Sequence, residues 1–188
     1  MGQWRFYHHF RTDVGSPLRR PQIGVQTAVL SHDGNDLAAA LQTILEIGDA
    51  EQLRESIAQA FHGTSLEIES SKAGFSVLFQ MPGLKRPLDA AELSDGTLRY
   101  LCLLAALLSP RPPSLLALNE PETSLHPDLL EGLAQLITRA SRNSQLWITT
   151  HSTQLANLIE RYAKQPSVKL ELVDGETQTC VPSRDGGY

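Results

Sequence analysis

The sequence predicts an α/β fold in which a parallel-sheet core with crossover helices follows an α+β region. Residues 115–118 and 146–150 read as continuous apolar runs, which is typical of strands buried on both faces of a parallel sheet. A helical stretch separates these runs, so we expect a right-handed strand-helix-strand crossover. Residues 65–79 instead alternate apolar and polar side chains, which indicates an antiparallel hairpin.

Two amphipathic helices are predicted before that hairpin. Residues 36–47 carry leucine, alanine and isoleucine side chains at helical spacing, after a polar turn at Asp33-Gly34-Asn35 that supplies a cap. The same spacing continues over residues 50–61. Both helices are expected to turn an apolar face toward the core.

The hairpin strands are predicted at residues 65–71 and 75–79, with Lys72-Ala73-Gly74 as the turn. Two prolines and a glycine after the second strand mark the way out of this region. The sequence therefore predicts an α+β subdomain over residues 1–90 and a second unit over residues 91–188.

The second unit begins with an apolar helix after Ser94. The crossover helix is predicted to begin at Pro127, because proline is favoured at the first helical position. A closing hairpin is predicted from residues 168–173 and 177–181 around Asp174-Gly175.

Composition indicates an ordinary globular chain of 188 residues with a formal net charge of −5. That charge argues against a nucleic-acid footprint over the whole surface. A local patch of Arg5, Arg11, Arg19 and Arg20 either contacts phosphate or forms a solvated face.

No signal-peptide pattern or membrane-length apolar run occurs, and two cysteines without metal spacing fit a reducing compartment. We expect a cytoplasmic location.

A small-residue turn is the first candidate site. Ser94, Asp95, Gly96 and Thr97 precede an apolar helix, where unpaired amides and the positive end of the helix dipole attract an anion such as phosphate. The alternative is that Ser94 or Asp95 merely caps the helix.

The second candidate site lies where the two buried strands end. Asn119 and Glu120 follow the first strand and His151 follows the second, so parallel pairing would bring them to one edge of the sheet. Glu120 can accept a proton from an attacking water, and His151 can donate to a phosphate. A solvated glutamate and an incidental histidine are the alternatives. His126, beside a helix start, is better suited to a structural or interface role.

Four motifs in order resemble the second half of an ATP-binding-cassette (ABC) nucleotide site. These are a signature at Leu93-Ser94-Asp95-Gly96-Thr97, a Walker B strand at residues 115–120, a D-loop at Ser124-Leu125-His126-Pro127, and a switch histidine in Thr149-Thr150-His151-Ser152. The residues of these motifs resemble those of the AAA-like ABC ATPases of the RecF, SMC and OLD group rather than those of membrane transporters. Many such ATPases serve DNA repair, chromosome maintenance or phage defence.

The resemblance implies ATP and Mg²⁺ as cofactors, with ATP held between two heads. It implies that Ser94 and Gly96, flanked by Asp95 and Thr97, bind the γ-phosphate of the opposing head. Glu120 would activate water, and His151 would contact the γ-phosphate in its own head. Asp95 replaces the glycine usual in transporters.

Two departures from the family pattern stand out. Asn119 occupies the Walker B position that normally bears an acidic residue steadying hydrated magnesium, so metal binding there loses a charge. No G-x-x-x-x-G-K-[ST] loop occurs in the sequence, so the cradle for the triphosphate is missing.

These observations favour the C-terminal lobe of an ABC-type ATPase, either cut from a longer chain or encoded separately. Alone it should be inactive. Its expected partner is a P-loop-bearing N-terminal lobe or a second ATPase head, with DNA or a DNA-processing protein as a possible further partner. The alternative is a degenerate, non-catalytic interaction module that retains the fold.

Overall fold

The computed structural model describes residues 4–173 and 175–180. Short 3-10 helices lie at Pro17–Arg19 and Pro127–Leu129. The other helices and strands are, in chain order, β1 (Trp4–Tyr7), α1 (Leu37–Ile47), α2 (Ala50–Ala60), β2 (Ser65–Ser71), β3 (Gly74–Gln80), β4 (Leu88–Asp89), α3 (Asp95–Leu107), β5 (Leu115–Asn119), α4 (Leu130–Ala140), β6 (Gln145–Thr149), α5 (Thr153–Ala163), β7 (Lys169–Val173) and β8 (Glu176–Cys180).

A parallel sheet in the order β1-β5-β6 carries the candidate site. The β5 and β6 strands pair in parallel, with α4 crossing between them, as the sequence predicts. The β1 strand was not predicted, and it pairs in parallel with β5 from Trp4 opposite Leu115 to Tyr7 opposite Leu118. The predicted α/β fold with a parallel core is confirmed.

Only one face of this sheet is buried within the chain, although the apolar strand patterns are typical of strands buried on both faces. Leu116 and Leu118 of β5 are buried in a core that also contains side chains of α3 and α4. On the other face Trp4 and Trp147 remain 62% and 65% exposed, and Phe6 remains 38% exposed. Within the described residues, that second face lacks a covering layer that would take its aromatic side chains out of water.

The first region packs helices against a separate antiparallel sheet in the order β2-β3-β4. The predicted β2–β3 hairpin is present, but Gly74 belongs to β3 and lies opposite Ser71, so the turn consists of Lys72 and Ala73 and does not include Gly74. Asp49 caps α2 by accepting a hydrogen bond from the Gln52 amide at 3.0 Å. Asp36 precedes α1 but binds Ser31 instead of capping the helix.

The apolar helix α3 is the most deeply buried helix, with every residue from Leu98 to Leu107 buried. The β7–β8 hairpin, in contrast, exposes Leu170 and Leu172 to solvent. Its predicted turn residue Asp174 and predicted end at Val181 lie outside the described residues. The division of the chain at residue 90 stays a prediction, and the parallel sheet draws β1 from one side of that division and β5 and β6 from the other.

In the part of the chain that the structure describes, none of the helices combines the length and the apolar character that a membrane span requires.

Candidate functional site

Parallel pairing of β5 and β6 brings three predicted site residues to one edge of the sheet. Asn119 lies opposite Thr149, and the Glu120 amide donates to the Thr149 carbonyl at 2.9 Å, which extends the ladder past the last strand residue. The turns that follow carry Glu120 and His151. The edge is therefore built by backbone pairing, as expected for the carboxyl ends of parallel strands.

Glu120 and His151 are in direct contact. The His151 Nε2 atom lies 3.2 Å from Glu120 Oε1, with side-chain exposures of 90% for the histidine and 40% for the glutamate. The Thr123 hydroxyl donates to the other carboxylate oxygen at 3.3 Å. Glu120 has φ of 45°, a left-handed conformation that costs a non-glycine residue energy. This strained turn aims the carboxylate outward, where water and a ligand can reach it.

Asn119 is exposed and lies on the face of the sheet that carries Trp4 and Trp147, which we call the open face. Its Oδ1 atom accepts a hydrogen bond from the Thr149 hydroxyl at 2.8 Å, which leaves one lone pair for another donor. Among residues 4–173 and 175–180, no group of three His, Cys, Asp or Glu side chains is arranged to hold a metal ion. The donor set therefore fits a contact to a metal-bound water better than direct coordination.

The small-residue turn before α3 is stabilised as a helix cap. Ser94 Oγ accepts from the Thr97 amide at 3.1 Å and shares a second hydrogen bond with the Thr97 hydroxyl at 2.8 Å. Asp95 pairs with Arg19 at 2.7 Å, and the same guanidinium donates to the carbonyls of Ala90, Ala91 and Leu93. The capping interpretation of Ser94 thus agrees with the structure, while binding of phosphate by these residues stays a prediction.

Gly96 lies where the signature-like turn meets the D-loop-like segment. A Cβ atom at this position would lie 2.6 Å from the Ser124 carbonyl oxygen, closer than real contacts allow. Ser124 itself has φ of 66°. Only glycine permits this approach without a backbone shift, so the turn and the segment after Glu120 are packed as one unit.

Two residues that sequence reasoning did not single out connect these parts. Arg99 of α3 is buried, and its Nη2 donates to the Glu120 carbonyl at 3.0 Å. Glu122 binds the turn that carries His151. Burial lowers the pKa of Arg99, and the nearby Glu122 and Glu120 carboxylates oppose that shift. An arginine inside an apolar helix and a second carboxylate in Asn-Glu-Pro-Glu were the available signals.

His126 and three of the four arginines in the predicted patch have structural partners. His126 precedes the 3-10 helix Pro127–Leu129 and accepts from the Asp128 amide at 3.3 Å, which fits its expected structural role. In the arginine patch, Arg5 contacts His32 at 3.3 Å and Arg11 pairs with Asp13 at 2.7 Å. Together with Arg19, these side chains are engaged within the chain, whereas Arg20, the fourth member of the predicted patch, is exposed. The engaged arginines weaken the idea of a local phosphate patch.

Comparison with known families gives one match that covers most of the chain. A family model described as "AAA domain, putative AbiEii toxin, Type IV TA system" matches residues 1–157. No curated protein sequence matches the chain.

Comparison with solved structures gives heads of SMC proteins. One, from work on ATP-driven dimerisation and DNA-stimulated activation of SMC ATPases, is 17% identical with a TM-score of 0.57, over 76% of this chain and 89% of that one. The Smc head from Pyrococcus furiosus bound to the C-terminal domain of ScpA is 17% identical with a TM-score of 0.56, over 74% and 35%. The SMC head from Thermotoga maritima is 19% identical with a TM-score of 0.52, over 80% and 52%. The chain thus spans about half or less of the last two proteins, and the likeness shows a shared fold.

Proposed function

The chain belongs to the AAA domain family whose model covers residues 1–157, and from this membership we propose that it is the C-terminal lobe of an ABC-type ATPase head. In this proposal the chain binds and hydrolyses ATP at a head–head interface once a P-loop lobe is supplied. We call the assembly of this chain with such a lobe the complemented head. Its work would lie in DNA repair, chromosome maintenance or phage defence, in the cytoplasm.

The observation that carries the proposal is the contact between Glu120 and His151 at the carboxyl ends of adjacent parallel strands, 3.2 Å apart. A carboxylate there can hold a water and accept its proton, and an imidazole beside it can donate to the phosphoryl group under attack. An incidental surface pair has no need of the left-handed backbone at Glu120 that holds the carboxylate at this edge.

The turn at residues 94–97 supplies the second half of the proposal. It lies at the N-terminus of a thirteen-residue helix, whose first amides and dipole favour a phosphate group. Ser94 caps this helix by accepting from the Thr97 amide, and its hydroxyl proton can still be donated to a phosphate oxygen. Arg19 holds Asp95 to one side, which keeps that carboxylate from facing the same anion.

Magnesium belongs to the proposal through the family, whose ATPases generally use ATP and Mg²⁺. The ion would neutralise charge on the phosphates. Asn119 is the residue placed to contact a metal-bound water, through the Oδ1 lone pair that Thr149 leaves free.

The open face of the parallel sheet supports a missing partner. Trp4, Phe6 and Trp147 form an exposed aromatic patch on it, and a large exposed apolar patch commonly marks an interaction site. The sequence contains no P-loop. A lobe that covers this face and supplies the phosphate loop would account for both the exposed patch and the missing P-loop. A second head or DNA would then be partners of the complemented head.

The isolated chain is expected to show no ATP hydrolysis and at most weak Mg-ATP binding, because it lacks a loop that cradles phosphates. Titration calorimetry with Mg-ATP and a steady-state phosphate-release assay test this. The coding sequence upstream of Met1 is the first place to look for the lobe, and the complemented head should gain both binding and turnover. Micromolar binding with turnover by the isolated chain would refute the lobe proposal. A complemented head that never hydrolyses ATP would favour the non-catalytic interaction module.

The Asn119→Asp variant of the complemented head is expected to bind Mg-ATP about three- to tenfold more tightly, because a carboxylate adds charge near the metal. The aspartate can still accept a hydrogen bond from the Thr149 hydroxyl, so the strand end should keep its conformation. Affinity is measured with and without Mg²⁺. A gain that persists without the metal, or no gain at all, would remove Asn119 from the magnesium contact.

A further inference from the structure

Glu122 holds the turn that carries His151. Its Oε1 atom accepts three hydrogen bonds from that turn, from the Thr150 hydroxyl at 2.5 Å and from the His151 and Ser152 amides at 3.2 Å each. One carboxylate oxygen thus accepts hydrogen bonds from three consecutive residues that lie about thirty positions away in sequence. The turns after β5 and β6 are joined by this contact beyond the end of their backbone ladder.

The carboxylate sits in a half-buried position beside a buried cation. Glu122 Oε2 and Arg99 Nε are both shielded from solvent, and neither has a hydrogen-bond partner. The Glu122 carboxylate favours the charged form of Arg99, and Arg99 in turn donates to the Glu120 carbonyl. Glu122 and Arg99 therefore bind the two turns from the shielded side, while Glu120 and His151 are in contact on the solvent-exposed side.

The His151 ring has little else to fix its place. Its side chain is 90% exposed and its contact is the Glu120 carboxylate. When a side chain is solvated, the position of its backbone decides where the ring can reach. Whatever fixes residues 150–152 thus sets the region that the imidazole can reach.

We propose that Glu122 is a positioning residue that places His151 beside Glu120 by binding the turn at residues 150–152. This inference deepens the proposed function and rests on it for the reaction that the pair serves. The positioning itself is a property of the isolated chain. Small misplacements of reacting groups cost large factors in rate, so the role predicts a rate effect that runs through His151.

The first arm of the test measures amide-proton exchange by NMR in the isolated chain. In Glu122→Ala, the His151 amide is expected to exchange at least about tenfold faster, because it loses its acceptor. The Ser152 amide should change less, because the Thr150 hydroxyl is a second acceptor for it at 2.9 Å. The Leu118 amide in β5 should keep its rate, which separates a local release from general loosening. Glu122→Gln retains an acceptor oxygen and is expected to restore most of the protection.

Glu131→Ala is the matched control. Glu131 also accepts hydrogen bonds from residues about thirty positions away, namely Arg161 and Tyr162, but it links α4 to α5. This variant should leave the His151 and Ser152 amides unchanged. Equal exchange rates at the His151 amide in Glu122→Ala and the unaltered chain would overturn the proposal.

The second arm uses the complemented head. Glu122→Ala is expected to lower kcat about 10- to 100-fold, with KM for ATP changed little. Adding Glu122→Ala to His151→Ala should cause no further loss, because the first residue acts through the second. Additive losses would show a structural role apart from His151 and would overturn the proposal. If the unaltered complemented head has no ATPase activity, the proposed function fails, and the exchange arm alone decides the positioning role.

Discussion

Replacing Glu120 by glutamine is expected to lower ATP hydrolysis by the complemented head about 10²- to 10⁴-fold, the usual worth of a general base. Glutamine keeps the shape and can still bond to Thr123 and His151, but it cannot take a proton from water. Nucleotide binding should therefore remain within about threefold of the unaltered head, because ground-state contacts are retained.

The measurement pairs steady-state phosphate release with nucleotide affinity. Glu131→Gln is the matched control, since Glu131 is another partly exposed carboxylate with hydrogen-bonding partners, on α4 rather than at the strand end. It should change neither quantity. Unaltered turnover in Glu120→Gln, in a head that hydrolyses ATP, would show that this strand end is not catalytic.

Much of the secondary structure was predictable because its signals are local. The α1 and α2 helices, the β2–β3 hairpin and the β5-α4-β6 crossover all appear near their predicted bounds. Helical spacing, turn residues and apolar runs each act over a few residues. The location of Glu120 and His151 at one edge of the sheet could be predicted from parallel pairing.

The β1 strand was not predictable from local pattern. It has four residues, too few for a period, and it is defined by pairing with β5 more than a hundred residues later in the sequence. The one-sided burial of the sheet could not be predicted from the sequence for a different reason. An apolar strand has the same composition whether its second face is covered or open, and only the rest of the structure tells which.

Glu122 escaped sequence reasoning because its role depends on three donors from another turn. A carboxylate next to a proline in a loop is ordinarily solvated, and its place in Asn-Glu-Pro-Glu does not tell which donors it binds. Arg99 was hidden within a helix that reads as simply apolar. Both residues act between segments, where spacing along the chain carries no information.

The contacts found this way join the two halves of the candidate site. Arg99 extends from α3 to the Glu120 carbonyl, and Gly96 packs against Ser124 just beyond that glutamate. We therefore expect a ligand that shifts the N-terminus of α3 to disturb the turn that carries the carboxylate as well. In the proposed head dimer, this connection would link the turn that faces the opposing head's nucleotide to the carboxylate that serves the chain's own head.

The Trp147→Asp variant is expected to weaken binding of a P-loop lobe about 30-fold or more, the effect of losing a central aromatic anchor. Trp147 lies in the open face of the sheet, opposite Ala117 on β5, and is 65% exposed in the chain alone. An uncovered patch of this kind also favours self-association, so the isolated chain should form oligomers that the variant disperses.

Sedimentation velocity of the isolated chain and titration with the lobe measure the two effects. Ile23→Asp is the matched control, because Ile23 is 83% exposed but lies beside the bridge from Gln22 to Phe75, outside the parallel sheet. An added charge there should change neither the oligomeric state nor the affinity for the lobe. If the unaltered chain is a monodisperse monomer that binds no apolar dye, the open face needs no covering lobe. If Trp147→Asp and Ile23→Asp weaken lobe binding equally, the lobe does not dock on this sheet, because only one of the two charges lies in its face.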